Sequence, residues 1–438
     1  MPPSPLAIPA RGDAMEARFV TEMTEALLPL LAIPSVAEHG REGFPYGPGP
    51  AQALGCALAL CERLGFRVRN ADGRYGYAEI GQGRELIGVL GHLDVVEAGT
   101  GWHYPPFVGT VDRGRLYGRG TVDDKGPTIA ALFAAWDLAR EYAARGETLP
   151  KRIRFLFGQT EEKGRWTDME AYLAAEEPFS CGFTPDGDFP AIYCEKTILV
   201  VKLMSPLLGS GLLEAQGGTA YNIVPDRCAV RTAGGRFEAV GRSAHGSVPW
   251  EGENAIDRCM AQLAEQGIPF AAAYRDLFGG DVYGEKLGIA CASPHSGPLS
   301  LNVGTLRTEG EQILLALDIR CPETVPGEEV IRALTAAVSR RGFTVLPVHP
   351  QKGVYLDKEG PVMQALLRAY RDVTGDLREP LAIGGGTYAR AMENIIAFGP
   401  HFPGTLCCEH QSDESISLEE LGQLRQIYKG ALRNLLEL

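Results

Sequence analysis

The sequence predicts an α/β fold, a mixed and largely parallel sheet between helices, interrupted by an inserted α+β domain. Three observations predict it. Short apolar runs of strand character alternate with helical patterns up to about residue 195. From about residue 196 the strand-like runs lengthen. After about residue 346 the first texture returns. The expected organisation is one domain built from 1–195 and 347–438, with 196–346 inserted.

Each element has its own signal. Residues 14–33 carry an amphipathic helical pattern closed by Pro34. A second helix is expected over 49–64. Residues 66–69, 75–80 and 86–90 read as strands. Residues 125–145 read as a long alanine-rich helix, and 153–157 as a buried strand. In the insertion, 196–203, 236–241 and 313–319 read as longer strands, with helices near 254–266 and 328–340. The closing part has a helix at 361–374, a glycine turn at 384–386, a strand at 395–398 and a last helix at 417–436. The stretch 274–298, rich in glycine and short polar residues, matches no element.

With 438 residues, 45% of them hydrophobic, the chain is long enough for more than one core. Its formal net charge of -13 argues against a nucleic-acid partner. No apolar run approaches the roughly 20 residues of a membrane-spanning helix, so no membrane partner is expected. The segment Met1–Pro9 lacks a basic region followed by an apolar core, and reads as a flexible lead-in rather than a signal peptide. The ten cysteines show no Cys-x-x-Cys spacing. Reduced thiols in a cytoplasmic protein are expected.

Five clusters carry chemistry. His92 and Asp94 follow the apolar run 86–90, two residues apart and so on one face of an extended segment. A carboxylate there can orient a metal-binding imidazole. Asp123 and Asp124 sit in a glycine-rich loop ahead of a helix. An N-cap would explain one of them and leave the other without a role. Glu161 and Glu162 follow the strand 153–157. If extended, they point opposite ways, one towards a metal and one towards its water. Asp186 or Asp188 could be a ligand, although Pro-Asp-Gly is also a turn signal. His410 precedes an acidic group. The bland alternative at each cluster is a solvated side chain or a turn. Together they fit a site for two metal ions about 3.5–4 Å apart, with one bridging carboxylate and a free carboxylate as base.

These stretches, with Gly217-Gly-Thr-Ala-Tyr-Asn-Ile-Val-Pro-Asp, Gly241-Arg-Ser-Ala-His-Gly-Ser, Asp318-Ile-Arg-Cys-Pro and Gly384-Gly-Gly-Thr-Tyr-Ala-Arg, resemble metallopeptidase family twenty over nearly the whole chain. That family includes glutamate carboxypeptidase, aminoacylase, a desuccinylase and bacterial dipeptidases, and the resemblance is closest to the dipeptidase V type. It implies a zinc-peptidase-like catalytic domain with an inserted lid. It implies that Asp123 bridges two divalent metals, that His92 and Asp186 complete one site, and that Glu162 and His410 complete the other. Glu161 is then the general base and Asp94 the support of His92. The peptide bond between Asp123 and Asp124 is expected to be cis. His245 would steady the oxyanion. Asn222, Arg320, Gly385, Gly386 and Thr387 would hold the substrate, with an Arg fork suited to a carboxylate.

Cys407 and Cys408 depart from the family pattern. They are taken as packing residues, because carboxylates and histidines suffice and thiolates suit closed structural zinc sites better. The lid spans some 150 residues, larger than a simple dimerisation lid, so a monomer is expected. The implied activity is a two-metal dipeptidase acting on small peptides with a free amino terminus. Zinc is the first choice, with manganese or cobalt as alternatives. An amidohydrolase that deacylates N-acyl amino acids is the rival enzyme. An inactive peptide-binding homologue is the rival of another class.

Overall fold

The computed structural model describes residues 13–164, 166–405 and 407–438. The expected lead-in at Met1–Pro9 lies outside the described residues. The chain opens with helices α1 (Asp13–Leu31) and α2 (Pro48–Arg63) and strands β1 (Arg67–Asn70), β2 (Gly76–Ile80) and β3 (Leu86–His92). A hairpin, β4 (Thr110–Asp112) and β5 (Arg115–Tyr117), leads to α3 (Lys125–Ala144). Then come β6 (Arg152–Gly158), α4 (Thr167–Ala175), β7 (Cys181–Thr184) and β8 (Ile192–Glu195).

The next stretch holds β9 (Thr197–Pro206), β10 (Leu212–Gly217), β11 (Arg227–Thr232) and β12 (Gly235–Val240). Helices α5 (Ala255–Glu265) and α6 (Pro269–Leu277) follow, then the short pair β13 (Ala292–Ser293) and β14 (Gly297–Pro298). Two long strands, β15 (Ser300–Glu309) and β16 (Gln312–Cys321), precede α7 (Gly327–Ser339). After β17 (Thr344–Val345) and β18 (Val354–Tyr355) come α8 (Pro361–Thr374), β19 (Leu381–Ile383), β20 (Ile395–Ala397), β21 (Ser415–Ser417) and α9 (Leu418–Glu437).

The chain forms two compact units. One holds the residues up to Tyr193, with Asp357–Leu381 and Thr387–Leu438; the other holds Cys194–Leu356 and Ala382–Gly386. In the first unit the sheet runs β1-β2-β6-β3-β7-β20-β8. Its centre is parallel, β6 with β3, β3 with β7 and β7 with β20, and its flanks are antiparallel. β3 is buried along its whole length, as a central parallel strand requires. Gly88 and Gly182 lie opposite each other on β3 and β7, where a Cβ on Gly182 would collide with the Gly88 carbonyl. Helix α3 packs on β3, on α1 and on α9, and α9 packs on α8. A capping box of Ser417 and Glu420 starts α9.

The second unit is built on a seven-stranded antiparallel sheet, β12-β11-β10-β15-β16-β9-β17. Its core joins Leu199, Val201, Leu315 and Leu317 of the sheet to Ile256, Met260, Phe270 and Leu334 of the helices. The side chain of Asn254 caps α5 by accepting from the N–H of Ile256 and Asp257. Part of 274–298 is ordered by Asp281, whose carboxylate accepts from the N–H of Tyr283, Gly284 and Lys286. None of the described helices is long and apolar enough to cross a membrane.

Candidate metal centre

The strand that ends in His92 sets the geometry. His92 is fully buried, and its Nδ1 lies 3.0 Å from the main-chain oxygen of Asp94. A carbonyl only accepts, so Nδ1 carries a proton and Nε2 faces Asp123 Oδ1 at 2.8 Å. The Asp94 carboxylate is 3.6 Å from the same Nδ1, an ion-pair distance, so Asp94 faces His92 with both its main-chain oxygen and its carboxylate. That carboxylate also accepts from the N–H of Glu161 at 3.2 Å and of Glu162 at 3.1 Å.

This changes the picture of the acidic pair. Glu161 and Glu162 do not lie in an extended segment. They open a single 3₁₀ turn, Glu161–Lys163, whose N–H groups the buried Asp94 carboxylate pins. The preceding residues are held by the buried Asp168, which accepts from Gln159 N at 2.5 Å and Thr160 Oγ1 at 2.7 Å. Nothing in the sequence marks Asp168 for this.

Asp123 lies in the loop before α3. Its Oδ1 meets His92, and its Oδ2 meets His410 Nε2 at 2.9 Å. Each oxygen thus faces a different histidine. His410 Nε2 also lies 3.1 Å from Glu162 Oε1. The peptide bond between Asp123 and Asp124 is cis, as the family resemblance implies. Asp124 is buried, and its Oδ2 accepts from His92 N at 3.2 Å and Thr128 Oγ1 at 2.8 Å. It joins the end of β3 to the first turn of α3. Gly91 is required at that junction, because a Cβ there would collide with Thr128 Oγ1.

Ligand atoms of His92, Asp123 and Asp186 all lie within 4.8 Å of one another, and so do those of Asp123, Glu162 and His410. All five expected ligands come together in two groups that share Asp123. The charges within them are strongly perturbed. Burial would raise the Asp123 carboxyl, but hydrogen bonds from His410 and His92 hold it well below the usual carboxylate range. Burial and the Asp123 charge push Asp186 up to about 6 and Glu162 up to about 7. Burial and then Asp186 raise Glu161 well above its ordinary value. Hydrogen bonds to Asp123 and Glu162 push His410 up to about 11. Carboxylates crowded in one buried spot repel, and they are all ionised only beside compensating cations. Carboxylate and imidazole donors with one shared carboxylate fit a pair of divalent cations.

Glu414 was not singled out by the sequence, although it closes the acidic group after His410. It is buried, and Oε1 accepts from the N–H of Gly120 and Val122 at 3.0 Å and of Asp123 at 3.3 Å. Its Oε2 pairs with the buried Arg119 at 2.7 Å. Glu414 therefore shapes the loop that presents Asp123. Replacing Glu414 with glutamine leaves Arg119 with an uncompensated buried charge. The expected loss is about 3–5 kcal/mol of stability, the usual cost of breaking a buried pair. Denaturant unfolding measures it, and an unchanged midpoint would contradict it.

The expected lid and substrate residues, Thr387 apart, lie in the second unit. His245 is exposed, and its Nδ1 lies 2.7 Å from Ser247 Oγ and 3.3 Å from Ser247 N. The Ser247 N–H donates to Nδ1, so the neutral ring keeps its proton on Nε2. Partial desolvation of the ring and the nearby Arg320 hold its pKa below the ordinary value. The main-chain oxygen of Asn222 accepts from Gly246 N at 2.7 Å. One edge of the Arg320 guanidinium is occupied. Nε and Nη2 are paired with the two Asp318 oxygens at 2.6 and 2.7 Å, and Nη1 lies 3.4 Å from the Gly384 oxygen. Gly385 and Gly386 close the second unit's share of the glycine turn. Thr387, in the first unit, caps the short turn Tyr388–Ala391 through its side chain.

The family model for Peptidase family M20/M25/M40 matches residues 88–434. The Bacillus subtilis (strain 168) protein named "Putative dipeptidase YtjP" is 35% identical over 434 residues, covering 90% of this chain and 92% of its own. A protein of the same description from Staphylococcus aureus (strain bovine RF122 / ET3-1) is 32% identical over 466 residues, covering 95% and 98%. Human carnosine dipeptidase 1 shares the fold, with a TM-score of 0.60 at 17% identity over 97% of this chain and 98% of that one. So does aminoacylhistidine dipeptidase from Vibrio alginolyticus, with a TM-score of 0.57 at 14% identity over 95% and 96%. A family match across most of the sequence, joined to two ligand groups that share one aspartate, gives the assignment: the chain belongs to peptidase family M20/M25/M40.

Proposed function

We propose that the chain is a metal-dependent dipeptidase that cleaves dipeptides with a free amino terminus and works with two divalent cations. The observation that carries this reading is Asp123, whose two oxygens face His92 and His410 separately. Relatives named as dipeptidases match more than nine-tenths of their own length to this chain.

His92 and Asp186 would hold one cation and Glu162 and His410 the other, with Asp123 belonging to both groups. Zinc is the first choice for this donor set, with manganese or cobalt as alternatives. When bound, the cations supply an acidic water and an electrophile for the scissile carbonyl oxygen. Glu161 belongs to neither ligand group and is held in place through its N–H by Asp94. Its carboxylate takes a proton from the attacking water and delivers it to the leaving amine as the C–N bond breaks. His245 donates from Nε2 to the oxyanion. Asn222, Arg320, Gly385, Gly386 and Thr387 hold the substrate, as the family resemblance implies. Arg320 does so through the N–H groups of Nη1 and Nη2 that Asp318 does not take. The protein acts as a monomer, because the insertion is larger than a simple dimerisation lid, and in the cytoplasm, where its ten free cysteines stay reduced.

Dialysis against a chelator should abolish dipeptide turnover, and added zinc, manganese or cobalt should return it. Comparing dipeptides with N-acetyl and N-succinyl amino acids tests the substrate class. Faster turnover of the acylated amino acids would replace the dipeptidase reading with the amidohydrolase. A protein that binds no cation and hydrolyses neither class would be the inactive peptide-binding homologue.

A further inference from the structure

The first unit holds a third group of ligand-type side chains that the catalytic reading does not use. One atom each from His401, Cys407 and Glu409 lies within 4.8 Å of the others. The expectation that Cys407 is a packing residue is corrected, because it is exposed. Its neighbour Cys408 is already engaged, with Sγ donating to the Ser415 oxygen at 3.4 Å. His401 Nε2 lies 3.6 Å from Glu409 Oε1. Glu409 Oε2 is shut off from solvent and has no hydrogen-bond partner. A buried carboxylate oxygen without a donor is costly and calls for a counter-charge. Asp188 lies beside the same group, forming an isolated parallel β-bridge with His401.

The backbone ties this group to both halves of the catalytic site. His401 N donates to the Gly187 oxygen at 3.3 Å, and Phe189 N donates to the His401 oxygen at 2.9 Å. His401 is thereby laced to the segment that bears Asp186. Glu409 immediately precedes His410. A cation held here would fasten the Asp186 segment to the His410 loop.

We propose that His401, Cys407 and Glu409 form a third cation site, separate from the pair centred on Asp123 and selective for a zinc-class divalent ion. One thiolate, one imidazole and one carboxylate are the donors of a tetrahedral zinc site with a fourth position left open. A thiolate disfavours magnesium and calcium, which take oxygen ligands. The ion neutralises the stranded Glu409 oxygen and holds the His410 loop against the Asp186 segment.

The test uses the full chain saturated with zinc and then desalted, with elemental analysis of wild type, Cys407→Ser and Cys408→Ser. Three zinc ions per chain are expected for wild type and Cys408→Ser, and two for Cys407→Ser. After exchange into cobalt, a thiolate-to-cobalt charge-transfer absorption is expected in wild type and Cys408→Ser and absent in Cys407→Ser. Two or fewer ions in the wild type would overturn the proposal. So would a third ion or an absorption band that survives in Cys407→Ser. The dipeptidase reading is tested separately, by the two ions that Cys407→Ser keeps and by its dipeptide turnover.

Discussion

Replacing Glu161 with alanine is expected to lower kcat on dipeptides by on the order of 10²–10⁴-fold, the usual contribution of a positioned proton carrier. Both cations should remain, because ligand atoms of His92, Asp123, Asp186, Glu162 and His410 form the two groups without Glu161. The fold should also remain, since the Asp94 carboxylate grips the main-chain N–H of residue 161 rather than its side chain. Elemental analysis beside steady-state kinetics checks this. Near-normal turnover would remove Glu161 from the base role, and loss of a cation would make it a ligand instead.

The second large effect is expected at Asp123. Replacing it with alanine or asparagine should lose both cations together, because its two oxygens serve the two groups separately. Asp186→Ala removes a ligand from one group only and should weaken one cation. The electrostatic help of the cations is worth several kcal/mol, so Asp123→Asn is expected to cost on the order of 10³-fold or more in kcat/KM. Asparagine keeps the shape of the side chain, so circular dichroism separates loss of metal from loss of fold. A variant that keeps one tightly bound cation would show that the aspartate is not shared.

The sequence marked the side chains that cluster around Asp123 better than their supports. The clusters that hold them could be read because acids and histidines at strand ends and in tight glycine loops have few structural duties there, and the family resemblance then chose His92, Asp123, Glu162, Asp186 and His410 within the clusters. Helices α8 and α9 could be read from their apolar spacing. What escaped depends on contacts distant in sequence. Glu414 binds the N–H groups of a loop some 290 residues earlier, and Asp94 binds those of Glu161 and Glu162 across 67 and 68 residues. No local pattern encodes such partners. The 3₁₀ turn at Glu161–Lys163 is fixed by the same long-range grip, which overrode the expected extended form. Strands β10, β11 and β15 went unread because their apolar pattern is short or mixed, and their pairing partners define them.

One feature of the ligand groups bears on how the protein matures. Four of the five side chains arise before residue 190, but the fifth, His410, is translated only after the whole insertion has been made. A nascent chain leaving the ribosome amino end first can complete the His92 group early. The Glu162 group has to wait until the last helix is about to emerge. In the proposed two-ion site, the Glu162 group therefore cannot take up its ion before His410 has been made.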